Sequence, residues 1–92
     1  RVDAAVPTLQ LSAYPNPSRG STTVNFALDR PASALVKVYD LAGREVLSAL
    51  RGDFNSGQYN AVINTSALAP GLYNVVLYTS SGVTATPLAV VR

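Results

Sequence analysis

Few side chains in this 92-residue chain can do covalent or acid–base chemistry. The acids are Asp3, Asp29, Asp40, Glu45 and Asp53, and there is no His and no Cys. Without a thiolate or an imidazole, Cys–His and Ser–His nucleophilic pairs are excluded, as are the usual zinc sites. The acids fall in separate loops or strands, and no two share the fixed spacing of an acid–base pair. Asp40 or Asp53 with backbone carbonyls could hold calcium, yet no Asp-x-Asp repeat supports such a loop. Glycine-rich phosphate loops are absent. The chain is expected to be no enzyme and to need no cofactor and no metal.

The basic residues argue in the same direction. Arg1, Arg19, Arg30, Lys37, Arg44, Arg51 and Arg92 give a net charge of +2, but they are scattered and form no run. That pattern is a solvated surface, so no nucleic-acid partner is expected. Arg51-Gly52-Asp53 spells a tripeptide that integrins read, a match short enough to arise by chance. Asn64-Thr65-Ser66 fits the N-glycosylation pattern, which acts only in a host that uses it. The five tyrosines could line a sugar or ligand face, but Tyr is enriched in strands for packing reasons and is read here as core or half-core.

The elements that must position these groups read as strands. Leu35 to Leu50 holds two β-prone runs around Asp40-Leu41-Ala42-Gly43. Asp at the first position of a type I turn can bond the backbone ahead of it, and Gly at the fourth accepts positive φ. A hairpin is expected, with Val36 and Val38 inward and Lys37 outward. Before it, residues 1–8 read as a linker or lead-in, Leu9 to Ser12 as a short strand, and Tyr14-Pro15-Asn16-Pro17-Ser18-Arg19-Gly20 as a rigid loop. Thr22 to Leu28 is a strand with Val24, Phe26 and Leu28 on one face, and Asp29 to Ser33 is a turn.

After the hairpin, Arg51 to Gly57 is dense in turn formers and is expected to be a second long loop. Tyr59 to Ile63 is a strand. Leu68 is expected to plug back into the core from the loop that follows. Gly71 opens a strand with Tyr73, Val75 and Leu77 inward, and Ser80-Ser81-Gly82 turns into a last strand ending at Val91. Pro87 cannot donate to a ladder, which predicts an edge position or a bulge.

About seven short strands with turn signals roughly every 8–12 residues predict an all-β fold, a seven-stranded antiparallel immunoglobulin-like β-sandwich over residues 9–92. Its edges would be partly protected by Lys37, Pro87 and short strands, leaving an edge-strand dimer open. No apolar run approaches the roughly 20 residues of a membrane span. The abrupt start at Arg1 reads as a piece of a longer protein.

The order of motifs adds a resemblance. Tyr14-Pro15-Asn16-Pro17 with Gly20, then Val36-x-Val38-Tyr39-Asp40-Leu41-x-Gly43-Arg44-Glu45-Val46, then Leu68-x-x-Gly71-x-Tyr73-x-Val75 closely resemble one family. It is the C-terminal sorting domain of proteins exported by the type IX secretion system of Bacteroidetes. The resemblance implies a secretion signal at the end of a larger cargo protein that crosses the periplasm. It also implies recognition by an outer-membrane translocon, removal by a sortase-like peptidase, and delivery of the cargo to the cell surface. By position it assigns translocon recognition to Leu88, Ala89, Val90, Val91 and Arg92. Pro15, Asn16, Pro17, Gly20, Asp40, Gly43, Arg44, Glu45, Gly71 and Tyr73 carry over as structural motif residues. Since Val83 to Val91 holds no basic residue, backbone pairing rather than charge is expected to make the contact. The rival expectation is a fibronectin-like or carbohydrate-binding accessory module of a secreted multidomain protein.

Overall fold

Buried and exposed side chains alternate along most of the chain, which is the period that a two-layered β fold requires. A computed structural model describes residues 10–80 and 82–91. The expected lead-in of residues 1–8 lies outside the described residues, as do Leu9, Ser81 and Arg92. The strands are β1 (Gln10–Tyr14), β2 (Ser21–Leu28), β3 (Ala32–Asp40), β4 (Glu45–Phe54), β5 (Gly57–Asn64), β6 (Gly71–Thr79) and β7 (Gly82–Val90). They form two antiparallel sheets, one ordered β1-β2-β5 and the other β4-β3-β6-β7. The seven-stranded, immunoglobulin-like sandwich expected from the sequence is the fold.

The core lies between the sheets. The three-stranded sheet gives it Val24, Phe26, Leu28 and Ile63; the four-stranded sheet gives Val36, Val38, Tyr73, Val75, Leu77, Leu88 and Val90. Leu68 enters from the β5–β6 loop, as expected. At one end Phe26 stacks on Tyr59 at 5.5 Å, and Phe54 meets both rings edge-on.

The β3–β4 turn forms as its residues dictate. Gly43 N–H donates to the Asp40 carbonyl at 3.0 Å, and Gly43 has φ of 86°. Asp40 Oδ1 accepts from the Ala42 and Arg44 amides, both at 2.9 Å, and the Arg44 guanidinium reaches Oδ2 at 3.1 Å. The Arg44 amide, ahead of the Arg44 side chain, the Ala42 amide and the guanidinium charge, holds the Asp40 carboxyl below its usual range against a smaller opposing effect of burial. Glu45 pairs back to Lys37 at 2.8 Å.

Three expectations fail here. Arg51 to Gly57 is not a long loop: β4 continues to Phe54, and only Asn55 and Ser56 separate it from β5. Gly52 and Asp53 are turn formers by local preference. Pairing of Leu35, Ala34, Ser33 and Ala32 with Arg51 to Phe54 overrides that preference, and Phe54 gains its place in the aromatic cluster. Arg51-Gly52-Asp53 is therefore strand, not a presented loop. The expected Asp29–Ser33 turn is shortened for the same reason, since β3 begins at Ala32. Lys37 also guards no edge, because β3 is a central strand. Bulges between Val36 and Lys37 and between Val38 and Tyr39 leave Ala49 and Val46 without partners on β3. They let Val46, Leu47, Ala49 and Leu50 all pack on the core.

Candidate functional site

Functional interest falls on a place where residues from opposite ends of the chain meet, the outer edge of β7. The chain leaves β1 at Tyr14, turns through Pro15 to Gly20, and enters β2 at Ser21. Both X-Pro bonds in this turn, Tyr14–Pro15 and Asn16–Pro17, are cis. The turn carries the chain from the three-stranded sheet across to the four-stranded one, where Ser18 makes a parallel bridge with Val90.

The contact copies a strand. The Asn16 side-chain amide does what a peptide group would do: Nδ2 donates to the Pro87 carbonyl at 2.9 Å, and Oδ1 accepts from the Ala89 amide at 3.0 Å. Ser18 continues the ladder, its N–H donating to the Ala89 carbonyl at 2.7 Å and its carbonyl accepting from the Val91 amide at 2.9 Å. Pro87 has no N–H, so an edge held by a side-chain donor on its carbonyl suits it. The expected edge position of Pro87 is what the sheet order places there.

A buried polar knot holds this clamp. Ser18 and Thr65 are almost wholly buried and share a hydroxyl hydrogen bond of 2.7 Å. Thr22, equally buried, donates to the Pro15 carbonyl at 2.9 Å, and the Thr65 amide donates to the Gly20 carbonyl at 2.8 Å. Each buried hydroxyl thus has a partner, which offsets the cost of its removal from water. Gly20 takes φ of 92° to turn the chain into β2.

The Leu68-x-x-Gly71-x-Tyr73 motif has its own physical role. Tyr73 stands near the start of β6, and its hydroxyl donates back to the Ala69 carbonyl, a tyrosine corner as in immunoglobulin-like sandwiches. Gly71, at φ of 155°, opens the strand between them. Tyr73 also pairs with Leu88 across β6 and β7, so this corner fixes the inner side of the strand whose outer side Asn16 and Ser18 hold.

The sequence-named residues therefore separate into groups. Asn16 meets Pro87 and Ala89; Pro15 and Pro17 shape its loop; Gly71 and Tyr73 lie behind the same strand. Asp40, Gly43, Arg44 and Glu45 form the β3–β4 turn and its ion pairs and do not touch the clamp, although Asp40 pairs in register with Tyr73, one strand from β7. Within the expected recognition segment, Leu88 and Val90 are core residues, Ala89 and Val91 are half-buried, and Arg92 lies outside the described residues. Sequence reasoning missed Ser18, Thr22 and Thr65. Thr22 could have been found, because it is in phase with Val24, Phe26 and Leu28; nothing local marks Ser18 or Thr65 as buried. Among the described residues no three His, Cys, Asp or Glu gather as metal ligands.

Comparison with known proteins agrees with the motifs. The family model for the secretion system C-terminal sorting domain matches residues 12–91. The chain is a type IX C-terminal sorting domain. Its fold matches part of dimeric latent PorU from Porphyromonas gingivalis, with a TM-score of 0.69 and 26% identity. The match covers 99% of this chain but 10% of the PorU chain, so the sorting domain spans about a tenth of that protein. No curated protein matches. A sorting domain of this family belongs to an exported protein and meets the secretion machinery. No helix among the described residues is long and apolar enough to cross a membrane.

Proposed function

We propose that the sorting domain, taken as residues 9–92, is a non-catalytic signal whose last strand is the part read at the outer membrane. Leu88, Ala89, Val90, Val91 and Arg92 are the recognised segment. One observation carries this reading: β7 is an edge strand, and the outward backbone groups of Ala89 and Val91 are held by the Asn16 side chain and by Ser18, a short contact that an incoming strand can displace. Backbone groups of alternate residues project along the same edge, so those of Val83 and Ala85 point outward beside the clamp. No described residue pairs with them there. Leu88 and Val90 fasten the strand from within, while Ala89 and Val91 remain half accessible.

The cargo precedes this domain in one chain, reaches the periplasm, and is passed to the type IX translocon. A sortase-like peptidase then separates cargo from signal, and the cargo is attached at the cell surface. Pro15, Asn16, Pro17, Gly20, Asp40, Gly43, Arg44, Glu45, Gly71 and Tyr73 serve by shaping the body that presents the strand. Pairing of the open β7 edge with a second copy would compete with the translocon for the same groups.

The test is delivery of a reporter fused ahead of the domain. Deleting Leu88 to Arg92 should leave the reporter in the periplasm. Because that deletion also removes two core residues, a second variant lacking only Val91 and Arg92 keeps Leu88 and Val90 and should shift delivery the same way. Unchanged surface delivery by both variants sinks the proposal.

A further inference from the structure

The outer face of the three-stranded sheet has no role in the sorting reading, and its chemistry is unusual for a protein surface. β1, β2 and β5 contain no Asp, Glu, Lys or Arg. Among the described residues, every charged residue within a strand lies in β3 or β4. Surfaces are ordinarily a quarter or more charged, so a whole face without charge calls for a reason.

The register shows what replaces it. Ser12 faces Asn25 and Asn25 faces Asn60, making one polar rung across all three strands. The neighbouring rung pairs Ala27 with Gln58, and the rung on the other side runs Tyr14, Thr23, Val62. Ser12, Asn25, Gln58 and Asn60 are exposed, and their side chains make no hydrogen bond among the described residues. They surround a shallow depression of about 540 Å³. Tyr14, 76% exposed, stands one rung beyond with its ring open to solvent.

The structure assigns this face to an uncharged polysaccharide. Each amide offers two donors and an acceptor, and each hydroxyl offers both, which is the complement of a sugar's own hydroxyl groups. Strands about 4.8 Å apart set three such side chains in a row roughly 10 Å long, suited to an extended chain lying across the sheet. The Tyr14 ring supplies the apolar platform on which the C–H face of a sugar ring can rest. Charge complementarity selects the ligand: a face without ions has nothing to pair with an acidic polymer and would leave its charges unpaired. A protein partner fits less well, because interface cores need aromatic and apolar anchors, and only Tyr14 and Val62 are large and exposed here. This inference does not depend on the strand-recognition reading.

Electrophoresis of the 92-residue chain through gels containing dextran, mannan or xyloglucan tests it, with polygalacturonate as the acidic control. At least one neutral polymer should retard the chain, and the retardation should persist when salt is raised. Asn25→Ala and Asn60→Ala should each weaken it by up to about tenfold, the equivalent of one hydrogen bond, and Tyr14→Ala should weaken it as well. Arg51→Ala, on the other sheet, should leave it unchanged. The inference is overturned if no neutral polymer retards the chain, or if only polygalacturonate does. It is also overturned if the Asn25 and Asn60 variants bind as tightly as the parent. Sedimentation of the chain alone provides the remaining check: a dimer abolished by Asn25→Arg would assign the face to a second copy instead.

Discussion

The two sheets of this domain share one core but present opposite surfaces. Their inner faces are alike, aliphatic with a few rings. Their outer faces are not. The β1-β2-β5 face carries amides and hydroxyls without a charge, whereas β3 and β4 carry Lys37, Asp40, Glu45, Arg51 and Asp53. The charged sheet also holds a tyrosine pair. Tyr39 and Tyr78 stand four residues apart in register, roughly 13 Å along the strands, and lean together over Lys37 and Val76 until their hydroxyls meet at 2.8 Å. The lesson is that stability is set symmetrically while surface chemistry is divided, and that the clamp of Asn16 and Ser18 is where the two halves are fastened.

A shared core is the part of this comparison that large effects can break. Ile63→Ala on the three-stranded sheet and Leu77→Ala on the four-stranded one each truncate a side chain with no more than 2% exposure. Each should cost about 2–5 kcal/mol in denaturant unfolding. Unfolding transitions that do not coincide when followed by separate probes on the two sheets would mean that the sheets do not unfold as one unit.

A smaller effect is expected at the tyrosine corner. Tyr73→Phe removes the hydrogen bond to the Ala69 carbonyl and should cost about 1 kcal/mol. If the corner also holds β7 from behind, amide exchange at Leu88 should quicken in the same variant; no change there would confine the corner's role to the β5–β6 loop.

The charged sheet should respond to alkali. The bond with the Tyr78 hydroxyl, together with partial burial and the nearness of Tyr78 and Glu45, pushes the Tyr39 hydroxyl from 10.0 up to about 12. A pKa raised on folding means stability that is intact below about pH 10 and lost as pH climbs through 12. Thermal unfolding between these limits should show that fall, and Tyr39→Phe should flatten it. A fall that survives the substitution would place the sensitive group elsewhere.

The smallest effect belongs to the surface ion pair. Lys37→Gln removes the contact with Glu45 and should change stability by less than about 1 kcal/mol, with the difference narrowing in high salt. A larger loss would show that charge on this face supports the fold as well as decorating it.

How much could be read beforehand differs by region. In β2, β6 and the β3–β4 turn, each residue's local preference agrees with its place. Alternation in Thr22 to Leu28 and Tyr73 to Leu77 named the inward faces, and Asp40 with Gly43 specified the turn. The end of β4 was illegible, because Gly52 and Asp53 prefer turns and only pairing with Ala32 to Leu35 holds them extended. Of the β7 edge, the sequence showed the loop and the last strand separately. It could not show that an amide at Asn16 would pair with a strand more than 70 residues later.

What the sequence determined by itself was the class of fold, the inward set of most strands, the family, and the poverty of catalytic groups. These follow from short-range facts: period-two alternation, turn chemistry at fixed offsets, and residue types that are present or missing. Tertiary structure alone decided which strands became neighbours, and with that the clamp on β7, the buried hydroxyls of Ser18 and Thr65, and the segregation of charge to one sheet. Each of these depends on residues far apart in the chain being brought together, and local preference carries no information about which distant partner a strand will meet.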